Sequence, residues 1–150
     1  MHVTSTAFEH NQSIPRTFTC DGENISPALT WGGVPEAAKS IVLIADDPDA
    51  PVGTFVHWVC YDIPVSVDGL PENVPARPEL AQGGTQGTND FNKTGYGGPC
   101  PPGGTHRYFF KVYALDTTLG LPAGKTKDEI LSAMNGHVLD QAELMGTYAR

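Results

Sequence analysis

Charged side chains are sparse in this sequence, 17% of its 150 residues, and basic ones are sparser still. Nine Lys and Arg stand against seventeen Asp and Glu, a formal charge of −8. A surface of that sign repels phosphate backbones and anionic headgroups, which excludes a polybasic mode of binding nucleic acid or membranes. Long apolar runs are missing as well. The most apolar stretch, Ile41 to Ala45, is strand-sized, against about 20 residues for a membrane helix, so no stable membrane insertion is expected. Met1-His2-Val3-Thr4-Ser5 lacks the basic region and apolar stretch of a secretory leader, and the chain, taken as a whole gene product, is expected in the cytoplasm. The cysteines, Cys20, Cys60 and Cys100, are odd in number and at no metal-ligand spacing. That excludes a zinc knuckle, and no metal or cofactor is expected. There is no internal repeat or compositional break, and the length suits one domain over 1–150.

What the chain does have is turn chemistry. Seventeen glycines and thirteen prolines make one residue in five, the mark of many short elements joined by turns. The β-branched and aromatic runs Ser40 to Ala45, Phe55 to Ile63 and Arg107 to Leu115 predict strands. Weaker strand signals cover Val3 to Phe8, Arg16 to Cys20, Leu29 to Trp31, Ala81 to Gln86 and Glu143 to Tyr148. Helix is expected only near the end. Thr126 and Glu129 have capping-box spacing before Ile130, Leu131 and Met134; Gly136 is placed to stop this helix, and a second short one is expected from His137 to Ala142. Strands with short C-terminal helices imply a mainly β protein, a largely antiparallel sandwich. The stretch from Gly83 to Gly104 lacks periodicity, and its prolines and aromatics suit an ordered functional loop.

Four groups of residues stand at strand ends or in adjoining loops, where binding residues concentrate. They are Asp46-Asp47-Pro48-Asp49-Ala50-Pro51, His57-Trp58, Gly97-Gly98-Pro99-Cys100-Pro101-Pro102 and His106-Arg107-Tyr108. Strand alternation puts His106, Tyr108, Phe110, Val112 and Ala114 on one face, and His57 with Phe55, Val59 and Tyr61 on another. Each group has an ordinary structural reading too. The aspartate-proline run makes a solvated turn, His57 a hydrogen-bonded core histidine, and His106 and Tyr108 a pair satisfying each other at the sheet margin. Asp21, Glu23 and Asp46 read as solvated acids, His2 and His10 as surface histidines, Cys60 as a small buried hydrophobe, and His137 has no ligand role.

Together these residues resemble the phosphatidylethanolamine-binding protein family, in its bacterial and archaeal Raf-kinase-inhibitor-like branch. The matching motifs are Asp47-Pro48-Asp49-Ala50-Pro51, Val56-His57-Trp58, and Gly98-Pro99 followed by His106-Arg107-Tyr108. Phe18 to Pro27, Asn89-Asp90-Phe91, Gly95-Tyr96-Gly97 and Tyr113-Ala114-Leu115-Asp116 extend the likeness, in order, along nearly the whole chain. The resemblance implies an antiparallel β-sandwich around one large sheet, with a small pocket for phosphate or carboxylate groups, including phosphoethanolamine headgroups. Carried over by position, Asp47, His57, Gly98, His106 and Tyr108 would line it, and Asp49 and Pro99 would shape its rim. The chain ends at Arg150 soon after a strand signal, so the covering C-terminal helix of eukaryotic relatives is not expected.

The chemistry of those residues suits an oxyanion. Two imidazole N–H groups, the Tyr108 hydroxyl and the Gly98 N–H can donate, and Asp47 can accept from one ring to fix its tautomer and favour its protonated form. No Lys or Arg is assigned to the pocket, so binding should be weak and depend on histidine charge. The composition offers neither a greasy tunnel nor a basic membrane face, so the polar headgroup alone is the expected ligand. In the family fold Cys20 and Cys100 flank segments near the pocket. A bridge between them would restrain the glycine-rich loop, but a reducing cytoplasm favours free thiols. The expected function is non-enzymatic binding of a small anionic ligand. The alternatives are inhibition of a kinase or serine protease through a protein surface, and an enzyme using Asp47, His57 and His106. A homodimer is allowed.

Overall fold

The computed structural model describes residues 1–150. Its centre is a six-stranded sheet ordered β2-β9-β8-β4-β5-β7. The strands are β2 (Gln12–Ser13), β4 (Ser40–Asp47), β5 (Phe55–Ile63), β7 (Thr85–Gln86), β8 (Thr105–Leu115) and β9 (Val138–Ala149). Pairing is antiparallel except between β2 and β9. A second sheet, β1 (His2–Thr4), β3 (Leu29–Gly32) and β6 (Gly69–Leu70), has the order β1-β3-β6.

Why β4 is so apolar follows from its place: every residue of Ser40–Asp47 is buried, because both faces of the large sheet are covered. On one face Ile41, Leu43, Trp58 and Phe110 pack against Val3, Leu29, Trp31 and Leu70 of the small sheet. On the other, Val42, Ile44, Val59 and Tyr61 meet Ile130 and Met134 of helix α1 (Lys127–Met134). The expected capping box opens α1: Thr126 Oγ1 accepts from the Glu129 N–H, and the Glu129 carboxylate accepts from the Thr126 N–H at 3.1 Å.

Two expected elements differ. His137 to Ala142 is not a second helix: β9 starts at Val138 and pairs along β8, with Asp140 opposite Ala114 and Ala142 opposite Val112. That long-range ladder outweighs a weak local helix preference. Arg16 to Cys20 forms a 3-10 turn over Arg16–Phe18 rather than a strand, with Thr19 Oγ1 donating back to the Arg16 carbonyl at 2.9 Å. Asp46 is not a solvated acid either. It is 1% exposed, with Lys127 Nζ at 2.7 Å and Lys111 Nζ at 3.2 Å from its carboxylate.

One irregularity positions the site. Ala45 pairs with Trp58 while Asp46 pairs with Val56, so His57 is the extra residue of a β-bulge. Beyond it, Val59 and Tyr61 join the helix-side core, whereas His57 and Phe55 lie on the face of His106 and Tyr108. Strict alternation, which grouped His57 with Val59 and Tyr61, fails at this step.

Candidate functional site

Antiparallel pairing brings the end of β4 beside the starts of β5 and β8, which gathers Asp47, His57, His106 and Tyr108 at one end of the sheet. They line a cleft of about 290 Å³ with Ala50, Pro51, Val52, Phe55, Phe91, Cys100, Pro101 and Pro102. Tyr108 contacts both imidazoles: His57 meets it edge-on with centroids 5.2 Å apart, and His106 stacks at 6.5 Å. The two rings therefore converge as expected.

Each imidazole has one nitrogen committed to the protein. His106 Nδ1 donates to Asp47 Oδ2 at 2.7 Å, and the other Asp47 oxygen accepts from the Asp49 N–H at 2.7 Å. His57 Nδ1 lies 2.6 Å from the Gly97 carbonyl, which can only accept, so Nδ1 carries the hydrogen. The Nε2 atoms are left for a ligand. Asp47 has both oxygens engaged in holding His106 and the turn after β4, and no group of three or more His, Cys, Asp and Glu is arranged to hold a metal ion.

Burial lowers the pKa of His57, an effect only partly opposed by its Gly97 hydrogen bond and by Asp47 and Asp46. Burial also raises the Tyr108 pKa, with Asp47 and Asp49 adding to the shift, so the phenol stays protonated as a donor. At the rim, Arg107 binds both carboxylate oxygens of Asp49 and holds its pKa down at about 2.

Gly98 and Pro99 stand outside the cleft lining. The Gly98 N–H donates to Asn24 Oδ1 at 2.8 Å and is not free for an oxyanion. The glycine is needed for packing, since a Cβ there would sit 2.2 Å from the Phe18 carbonyl oxygen. Pro99 also lies behind the wall, its carbonyl accepting from the Cys20 N–H at 3.0 Å. Asp49 sits at the rim, where Arg107 holds its carboxylate.

Cys20 and Cys100 form a disulfide, the bridge that the family resemblance had left open. The bridge joins the 3-10 segment to the Cys100-Pro101-Pro102 wall. Tyr96 reinforces it from the same side, donating to the Phe18 carbonyl at 2.6 Å.

The sequence reading missed the apolar mouth. Phe55 and Phe91 pack edge-to-face at 4.8 Å, and both touch His57; Val52 is 94% exposed beside them. Phe91 is presented by a loop built on buried Asn89, whose Oδ1 accepts from the Phe91 and Lys93 N–H groups. The Asn89-Asp90-Phe91 motif was a visible signal, but its role depended on that loop closing.

A large antiparallel sheet, a small covering sheet and a two-histidine floor at the strand ends define a mainly β protein with one short helix. The chain belongs to the phosphatidylethanolamine-binding protein family, whose sequence profile matches residues 4–149. It is 54% identical over 150 residues to a UPF0098 protein of Methanothermobacter thermautotrophicus, covering all of this chain and 99% of the relative. A UPF0098 protein of Aquifex aeolicus is 53% identical over 153 residues, covering 100% and 89% of the two chains. The fold is similar to the crystal structure of a phosphatidylethanolamine-binding protein homologue, CT736, from Chlamydia trachomatis. The TM-score is 0.91 with 42% identity, over 99% of this chain and 97% of that one. E. coli YbcL, described as a member of the mammalian family, aligns with a TM-score of 0.92 and 34% identity, over 99% and 98%. No helix is long and apolar enough to cross a membrane.

Proposed function

We propose that this protein binds a small phosphate- or carboxylate-bearing ligand in the cleft and does not turn it over. The observation that carries this reading is the pair of imidazoles flanking Tyr108, each with Nδ1 held by the protein and Nε2 left over. When His106 is protonated, its Nε2–H and the Tyr108 hydroxyl give an oxyanion two donors, and Asp47 balances the ring charge from behind. The apolar mouth suits the carbon portion of such a ligand, as in a phosphoethanolamine headgroup with the first carbons of its attachment. Against a thiol-based enzyme stands the disulfide, which locks Cys100, the one cysteine in the wall.

The test is a titration with inorganic phosphate at pH 5.5 and pH 8, followed by NMR of the histidine and tyrosine rings. Shifts centred on His57, His106 and Tyr108, with weaker binding at pH 8, are expected. Equal affinity at both pH values, or no change at these rings, would overturn the proposal.

A further inference from the structure

We infer that His57 makes the cleft selective among oxyanions, favouring those that keep a hydrogen on oxygen, such as hydrogen phosphate and singly ionised phosphate monoesters, over sulfate and sulfonates. This rests on the anion-binding reading above and adds the chemistry of its selectivity.

Hydrogen-bond direction sets this selectivity. The Gly97 carbonyl cannot donate, so its contact with His57 Nδ1 fixes the hydrogen there. In the neutral ring Nε2 is then an acceptor, with a lone pair towards the ligand space. Nothing around the ring favours a second proton strongly enough to reverse this. Burial outweighs the groups that favour a second proton, which are the Gly97 and Gly98 backbone and the Asp47 and Asp46 carboxylates from β4, and the rings of Tyr108 from β8, Phe55 and Phe91 pack against it without adding charge. No lysine or arginine lines the cleft.

The floor is therefore asymmetric. His106 has the Asp47 carboxylate behind it to balance an imidazolium, whose Nε2–H donates; the Tyr108 hydroxyl can also donate; His57, with only a carbonyl behind it, accepts. A phosphate carrying one P–OH matches all three by giving its hydrogen to His57 Nε2. Sulfate is fully ionised at neutral pH and has nothing to give, so one of its oxygens must face an unpaired lone pair. Phosphate and sulfate are both tetrahedral and close in size, so shape does not separate them. The cost of an unmatched acceptor–acceptor contact in a buried site corresponds to a preference of about tenfold or more.

The experiment compares inorganic phosphate with sulfate by calorimetric titration at pH 7, for the wild-type protein and for His57→Gln. Wild type is expected to prefer phosphate by about tenfold or more at pH 7. The preference should shrink in His57→Gln, whose amide N–H can reach a sulfate oxygen. Equal affinities in the wild type at pH 7 would overturn the inference while leaving the anion site standing. Binding of neither anion would remove the anion site and the inference with it. A measurement independent of any variant is ¹⁵N NMR of the wild-type phosphate complex at pH 7. An unprotonated His57 Nε2 with the hydrogen kept on Nδ1 is expected, and a protonated Nε2 would overturn the inference.

Discussion

Asp46 and Asp47 are neighbours in β4, yet their carboxylates serve opposite faces of the sheet: Asp47 takes the Nδ1 hydrogen of His106 at 2.7 Å, while Asp46 meets Lys127 at 2.7 Å beside helix α1. Both are buried. One acid belongs to the cleft and the other ties the helix to the sheet.

Asp47→Asn should therefore separate from Asp46→Asn. Removing the Asp47 charge weakens a charge-assisted hydrogen bond worth about 1.5–3 kcal/mol, so phosphate affinity should fall by about tenfold or more while the fold is kept. Asp46→Asn should lower stability and leave phosphate binding essentially intact. Titration calorimetry with thermal melts reads both effects. A wild-type affinity in Asp47→Asn would show that His106 works without its carboxylate.

Stability should fall with pH on account of His57. Its folded-state pKa lies below the ordinary 6.5, so between the two values the unfolded chain binds more protons than the native one. The contribution is fully present above pH 6.5 and is lost as pH falls through 6.5 towards the lower folded value. Urea midpoints measured from pH 7.5 to 5 should show this slope, and His57→Gln should flatten it. An unchanged slope in the variant would assign the effect to other groups.

Gly98→Ala should destabilise by about 1–3 kcal/mol or more, by forcing a methyl group towards the Phe18 carbonyl oxygen at 2.2 Å and Asn24 Oδ1 at 2.5 Å. Gly103→Ala, with nothing within 4 Å of the added carbon, should stay within about 0.5 kcal/mol of wild type. Chemical denaturation distinguishes them, and a silent Gly98→Ala would mean that the wall yields easily.

Thiol titration of the denatured, unreduced protein should find one free thiol, Cys60, because Cys20 and Cys100 are joined. Reduction should then cost about 4.5 kcal/mol of stability in the chain-entropy model, given the 80-residue separation. Three titrating thiols would rule out the bridge.

Much of this molecule is written locally. The runs Ser40 to Ala45, Phe55 to Ile63 and Arg107 to Leu115 announce strands because side-chain shape and alternation act over a few residues, and Thr126 with Glu129 announces a helix start for the same reason. The motifs around Asp47, His57, His106 and Tyr108 were also legible, since they sit at the ends of those strands. Less legible was anything set by partners distant in the chain. Val138 to Ala142 becomes a strand because β8 needs an edge partner, and Asp46 is buried because two lysines reach it from β8 and α1.

The sequence alone determined the mainly β character and the acidic surface, since each depends on composition or short-range pattern, while the residues at the cleft floor were named by the family resemblance of its motifs. Tertiary structure decided which way those residues act. The bulge at His57 turned its ring to the His106 face, the Gly97 carbonyl made its free nitrogen an acceptor, and Asn24 took the Gly98 N–H away from any ligand. Hydrogen-bond direction depends on what stands opposite each atom, and those neighbours lie dozens of residues away along the chain.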